Sequence, residues 1–221
     1  MNSGNSLKQY VFIIDDDPSV RKGLERIFKA SGFSSKSFES ADSFLKSKVP
    51  GTPGCIVLDV QMPGTTGPQL QTSLKNRGIL TPIIFLSAHG SVRITAETMK
   101  KGAIDFLTKP VDSDELITKV NNAFKIDLAQ REKALELERI TEKLNSLTQR
   151  EYQVMTYVIS GLLNKQIAAE LEISEETIKI HRRKIMKKMG IVSVAELVRL
   201  CETASIKPAN PTNPLFKRSE Y

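Results

Sequence analysis

The chain has 221 residues, a net charge of +7 and 26% charged side chains, which allows one large domain or two small ones and excludes collagen-like, wholly disordered and disulfide-rich classes. No apolar run approaches the ~20 residues that span a bilayer. Residues 1–8 lack the apolar centre of a signal peptide, so a cytoplasmic protein with no membrane partner is expected.

Tyr10–Ile14 is an unbroken apolar run and reads as a buried strand. Asp15-Asp16-Asp17 ends it, and Pro18 suits the first position of a helix with Asp17 as its cap. Val20, Leu24, Ile27 and Phe28 share one helical face, and Gly32 stops that helix. A weaker, Ser-rich strand covers 33–38. Ser40 opens a helix that buries Phe44 and Leu45. Strand three, 54–59, is apolar up to one carboxylate, Asp59, and Gly and Pro follow shortly after. Its Cys55 and the distant Cys201 lack metal-ligand spacing, and reduced, idle thiols are expected. Gly67-Pro68 starts a helix carrying Leu70 and Leu74. Strand four covers 82–87. A helix near 91–101 is predicted to bury Val92, Ala96 and Met99, and strand five covers 104–107. Asp112 with Glu115 caps a fifth helix that buries Leu116, Val120 and Phe124.

Strict alternation of strand and helix predicts a parallel sheet with helices on both faces. The strands lack polar alternation, as such sheets require. All strand C-terminal ends then share one edge, where open parallel sheets place their ligands. That edge collects Asp15, Asp16, Asp59, Ser87 and Thr108-Lys109-Pro110. Crowded carboxylates need a cation, and an all-oxygen site with waters suits Mg2+. Asp16, Asp59 and the backbone carbonyl of Gln61 are the expected ligands, with Asp15 in support. Lys109 supplies a point charge and Ser87 a hydroxyl for phosphate oxygens, and Asp59 is the expected nucleophile. An Mg2+-dependent phosphohydrolase also uses a strand-tip Asp, but Gln61, not a second acid, lies two residues after Asp59.

Residues 9–126 resemble the receiver domain of bacterial two-component response regulators. The matching residues are Ile13-Ile14-Asp15-Asp16-Asp17, Leu58-Asp59-Val60-Gln61-Met62-Pro63, Leu86-Ser87-Ala88 and Asp105-Phe106-Leu107-Thr108-Lys109-Pro110. The resemblance implies a five-stranded, flavodoxin-like receiver whose Asp59 takes phosphate from a sensor histidine kinase. It also implies a switch pair, Ser87 and Phe106, and a Lys109-Pro110 peptide that is commonly cis in receivers.

Residues 112–147 contain neither Pro nor Gly and are rich in helix formers. Residues 127–146 read as a helical linker. Within it Leu137, Ile140 and Leu144 follow the spacing of a coiled-coil seam, which offers dimerisation as one use and a solvated spacer as the other. Leu147-Thr148-Gln149-Arg150-Glu151 is a capping box, with Tyr152 placed for a staple against Leu147. The helix it opens buries Val154, Met155 and Val158 and stops at Gly161. Asn164 is read as the cap of a second helix, carrying Ile167, Ala168 and Leu171. Ser174 caps a third, residues 175–189, with six cations against Glu175 and Glu176. Ser193 and Glu196 form another capping box, opening a helix with Leu197 and Leu200.

A helix, a tight turn and a basic helix make a helix-turn-helix. Ile178, Ile185 and Met189 face inward on the basic helix. Lys179, Ile180, Arg183 and Lys187 lie opposite, with Thr177 near its start. An apolar Ile180 among cations suits a thymine methyl, Arg183 suits guanine, and Lys184 and Lys188 suit phosphates. Residues 147–205 resemble the four-helix LuxR-type output domain, through 147–151, 164–168 and 174–189. Receiver plus this output resembles the NarL/FixJ family, with a linker like that of FixJ-like members. The resemblance implies Lys179, Ile180 and Arg183 as base contacts. It also implies a homodimer on phosphorylation, and paired half-sites on double-stranded DNA. Residues 206–221 hold three prolines and little to bury, and read as a mostly disordered tail.

Overall fold

The computed structural model describes residues 9–48, 52–88 and 92–211. The chain divides into two compact units between Arg131 and Glu132.

In the first unit, five strands alternate with helices: β1 (Tyr10–Ile14), α1 (Pro18–Ala30), β2 (Ser34–Phe38), α2 (Ala41–Lys46), β3 (Gly54–Asp59), α3 (Gly67–Asn76), β4 (Ile83–Ser87), α4 (Val92–Lys100) and β5 (Asp105–Thr108). All strands pair in parallel in the order β2-β1-β3-β4-β5. Strand side chains alternate between two apolar layers. Phe12, Ile14, Ile56, Leu58 and Phe85 pack with Phe44, Leu70 and Leu74. Val11, Ile13, Val57, Ile84 and Leu86 pack with Leu24 and Phe28, and with Leu116, Val120 and Ala123. The central strand β3 is therefore buried along its whole length. Cys55 and Cys201 are buried free thiols.

The frame of α4 differs from the expectation. Val92 is 85% exposed and Met99 41%, and Ala96 is exposed. The buried position is Thr98. A threonine can face inward here because its hydroxyl donates to the carbonyls of Ile94 (2.9 Å) and Thr95 (3.0 Å), and its carbonyl accepts from Gln71 Nε2 at 3.0 Å. With its polar atoms bonded, Thr98 costs little to bury.

The helix α5 (Ser113–Asn145) runs unbroken for 33 residues. Glu115 N–H bonds to Asp112 at its start, as the capping pair predicts. The first unit runs on past residue 126, to Arg131. Asp127 is buried, accepts the Gly54 N–H at 2.9 Å and pairs with Arg131. Residues 132–139 are exposed throughout.

The second unit carries α6 (Gln149–Ile159), α7 (Asn164–Glu170), α8 (Glu175–Met189) and α9 (Val194–Thr203). Leu137, Ile140 and Leu144 do not share one exposed seam. Ile140 is 1% exposed and joins Leu144 in the core of this unit, against Val154, Met155, Ile167, Ile178, Ile185 and Leu197. Their spacing serves the unit's own core, so neither side chain is available to a second chain; Leu137 stays 42% exposed.

The Thr148–Glu151 capping box forms as expected. Two other caps differ. Leu163, not Asn164, precedes the first turn of α7, and its N–H is taken by Gln166 Oε1 at 2.7 Å. The carboxylate of Glu196 accepts from Val192 N–H, so only the Ser193 half of the second box is made. The start of the tail is ordered against the domain. Ile206 and Ala209 pack on the core, Ala209 N–H donates to the Thr156 carbonyl at 3.0 Å, and Pro211 is buried. The expected disorder of 212–221 lies outside the described residues. Among the described residues, no helix is long and apolar enough to cross a membrane.

Candidate functional site

Parallel register brings the chemistry to one edge of the first unit. Ile14 pairs with Leu58, Asp59 with Leu86, and Ser87 with Thr108, so Asp15, Asp59, Ser87 and Lys109 all stand at strand ends. The Lys109 ammonium lies 2.7 Å from Asp15 Oδ2 and 2.7 Å from Asp59 Oδ1. Both carboxylates are buried. Their outer oxygens are also held: Asp15 Oδ1 accepts the Asp17 N–H at 3.0 Å, and Asp59 Oδ2 accepts the Gln61 N–H at 2.9 Å. The Lys109 N–H donates to the Ser87 carbonyl at 2.8 Å, and the Lys109-Pro110 peptide is cis.

Burial pushes the Asp59 carboxyl up, with the Asp15 charge adding to it and Lys109 opposing. For Lys109, burial works against the charged form, but the bonds from Asp15 and Asp59 outweigh it and hold the ammonium above the usual lysine range. The three groups form one charge-compensated cluster, as buried ions must.

Asp16 is exposed beside this cluster. Its carbonyl and that of Asp15 accept from Arg21 Nη1 at 2.9 and 2.7 Å. Arg21 escaped the sequence reading. A cation in the first turn of a helix opposes the helix dipole, and that misfit was the available signal. Gly67 has a second role beyond opening α3. A Cβ there would lie 2.3 Å from the Asp59 carbonyl oxygen, so only glycine lets α3 start against the strand tip. Phe106 is half-buried, tilted on Phe85 with ring centroids 6.4 Å apart.

Among the described residues no three acidic, His or Cys side chains surround one point as a ready metal cage. Mg2+ needs only one or two carboxylates, with waters and phosphate completing its shell. Asp59, the exposed Asp16, Asp15 and the Gln61 carbonyl offer oxygen donors only, a set that suits that ion in kind.

The second unit carries a separate surface. Ser174 caps α8 by accepting the Thr177 N–H, and the Thr177 hydroxyl lies 2.7 Å from that of Ser174. Ile178, Ile185 and Met189 are buried, which turns Lys179, Ile180, Arg183, Lys184 and Lys187 outward. Ile180 is 43% exposed. Lys179 meets Glu176 in an exposed 3.3 Å pair, which contributes little and breaks readily. His181 is half-buried, and its Nδ1 is enclosed without a hydrogen-bond partner.

Lys188, expected to hold a phosphate, is bonded within its own domain. Its ammonium lies 2.6 Å from Glu151 Oε2 and 2.9 Å from the Ser146 carbonyl. The same Glu151 oxygen accepts the Thr148 N–H at 2.8 Å. Lys188, first, and the Thr148 backbone hold the Glu151 carboxyl below the usual range. A depressed carboxyl stabilises the fold above its unfolded pKa, near 4.5, and loses that contribution as pH falls through the folded value. Glu151→Gln is therefore expected to lower the stability of this unit at pH 7 by about 1–2 kcal/mol, with part of the pair's worth screened at the exposed Lys188 end. Urea unfolding repeated at acidic pH should show that difference shrinking.

Comparison with known proteins agrees with this division. A model described as response regulator receiver domain matches residues 11–121, and one described as bacterial regulatory proteins, luxR family, matches 145–201. Nodulation protein W of Bradyrhizobium diazoefficiens is 42% identical over 94% of this chain and 91% of its own. The transcriptional regulatory protein FixJ of Azorhizobium caulinodans is 38% identical over 92% and 97%. The solved structure of the response regulator StyR aligns with a TM-score of 0.77 at 41% identity, covering 88% of this chain and 98% of its own.

Proposed function

We propose, for a chain that belongs to the NarL/FixJ family of two-component response regulators, that Asp59 is its phosphoacceptor and that phosphorylation drives dimerisation on DNA. The observation carrying this reading is the Lys109 ammonium clasped between Asp15 and Asp59 at the C-terminal edge of the sheet. The donor is a phosphohistidine on a sensor kinase. Both Asp59 oxygens are held, Oδ2 by the Gln61 amide and Oδ1 by the Lys109 ammonium, and Oδ1 attacks as Lys109 shifts off it. The new P–O bond forms as the P–N bond breaks, and the electron pair leaves with the imidazole nitrogen. Lys109, already beside Oδ1, follows to a phosphoryl oxygen, and the Ser87 hydroxyl takes another. Bound Mg2+, held by Asp16, Asp59 and the Gln61 carbonyl with Asp15 in support, would neutralise the developing charge. Water later hydrolyses the acyl phosphate, with no external substrate.

Movement of Ser87 toward the phosphoryl group frees space that the Phe106 ring fills, and the face built from α4, β5 and the start of α5 changes. Exposed Val92, Ala96 and Met99 on α4 support that face as the dimer contact. Two α8 helices then reach half-sites one DNA turn apart, ~34 Å. Lys179, Ile180 and Arg183 meet base edges. Lys184, Lys187 and the start of α8 at Thr177 face the backbone. A cytoplasmic location follows from DNA as the partner.

Acetyl phosphate and Mg2+ are expected to convert the wild type to a dimer carrying one phosphoryl group. Asp59→Asn should remain unmodified by mass spectrometry and monomeric by sedimentation. An Asp59→Asn protein that dimerised under the same treatment would overturn the mechanism.

A further inference from the structure

The cation nearest the end of α8 is bound to its own domain. Lys188 Nζ reaches Glu151 Oε2, 37 residues earlier, and the Ser146 carbonyl just beyond the end of α5. Glu151 is buried, and its oxygen is shared with the Thr148 N–H. The last turn of α8 is thus tied to the junction where α5 hands over to α6. A second feature places the same parts together: a Cβ on Gly190, the residue that ends α8, would lie 3.7 Å from Lys143 Nζ of α5. The apolar anchors of α8, Ile178, Ile185 and Met189, pack on the same core as Ile140 and Leu144 of α5. Apolar packing decides which face of α8 turns inward; the charge-assisted bond at its end adds a directed constraint on the last turn.

We propose that Lys188 is a positioning residue for DNA reading: its bond to Glu151 and Ser146 pins the last turn of α8, and with it the final aim of Ile180 and Arg183. At 1.5 Å per residue, Lys188 stands about 7.5 Å along the axis from Arg183, close enough for a small turn at one to displace the other. The inference rests on α8 being the reading helix. It assigns Lys188 no phosphate.

Salt dependence separates the two roles, because each phosphate neutralised contributes about 0.9 to the slope of log K against log salt. In the full-length protein, binding to its selected site and to random DNA is measured across a salt series. Lys188→Met is expected to lose about tenfold in specific affinity, with unchanged binding to random DNA and an unchanged slope. Lys187→Ala should lose on both DNAs and flatten the slope. Lys188→Arg, which can still reach Glu151, should restore specific binding.

Glu151→Gln keeps an acceptor for Thr148 but weakens the tie to Lys188, and guards against a Lys188→Met protein that folds poorly. It removes a negative charge from a DNA-binding domain, so electrostatics alone would tighten binding. The positioning role instead requires a loss on the specific site. A slope reduced by about 0.9 in Lys188→Met, or Glu151→Gln binding its site as tightly as wild type or tighter, would overturn the proposal. Arg183→Ala is the control for the premise: if it leaves specific binding intact, α8 is not the reading helix and the premise fails, whatever Lys188 does.

Discussion

Replacing Ile140 with alanine is expected to destabilise the DNA-binding unit by about 3 kcal/mol, within the 2–5 usual when a buried Ile is cut to Ala. Ile140 lies near the end of α5, well before the first capping box of the LuxR-type fold, and position alone would make it a spacer residue. Its burial among Val154, Met155, Ile167 and Ile185 makes it core. Leu137, one turn earlier and exposed, should tolerate alanine within about 0.5 kcal/mol. Urea unfolding of the full chain, followed separately in each unit, tests the contrast. The receiver transition should not move. If the helix were instead a coiled-coil seam, both alanines would weaken self-association and neither would alter the unfolding of the monomer.

The difference between those readings shows what a sequence can carry. Apolar residues three and four apart mark a buried helical face, but the pattern is the same whether the partner is a second chain or the chain's own next domain. Lys188 is a parallel case: its charge is evident, but its partner Glu151 lies 37 residues away, and only the fold brings them together. On α4 hydropathy points to the wrong frame because it treats Thr98 as polar, while its hydroxyl is satisfied within its own turn. The tail misled for a related reason. Three prolines forbid regular structure, but an irregular segment can still bond, as Ala209 does to Thr156.

The strands were legible because a parallel sheet covered on both faces demands unbroken apolar runs, and β1, β3 and β4 have them. Once their ends were placed, Asp15, Asp59, Ser87 and Lys109 fell on one edge without further assumption. Arg21 is legible only as a cation near a helix start, since the backbone carbonyls it binds carry no signature of their own.

Lys109 is where fold and chemistry meet, and removing its charge should be felt in both. Asp15 and Asp59 are buried, and in the absence of Lys109 two neighbouring carboxylates would face each other without a cation. Breaking a buried pair by removing one partner costs about 3–5 kcal/mol. The Lys109 side chain keeps 20% of its exposure, so water screens part of the loss, and Lys109→Met is expected to destabilise the receiver by about 2–4 kcal/mol in the presence of a chelator.

A divalent ion bound at the same edge would supply the missing positive charge. Adding Mg2+ should therefore recover most of the stability of Lys109→Met while changing that of the wild type much less. Stability and function then part company. Even with Mg2+ present, the Lys109→Met protein lacks the point charge that follows the incoming phosphoryl group, so acetyl phosphate should label Asp59 poorly and dimerisation should not follow. Unfolding curves with and without Mg2+, set beside phosphoryl incorporation, read the two effects independently. Equal stability of Lys109→Met and wild type in chelator would mean that the Asp15–Lys109–Asp59 cluster contributes nothing to holding the sheet edge together.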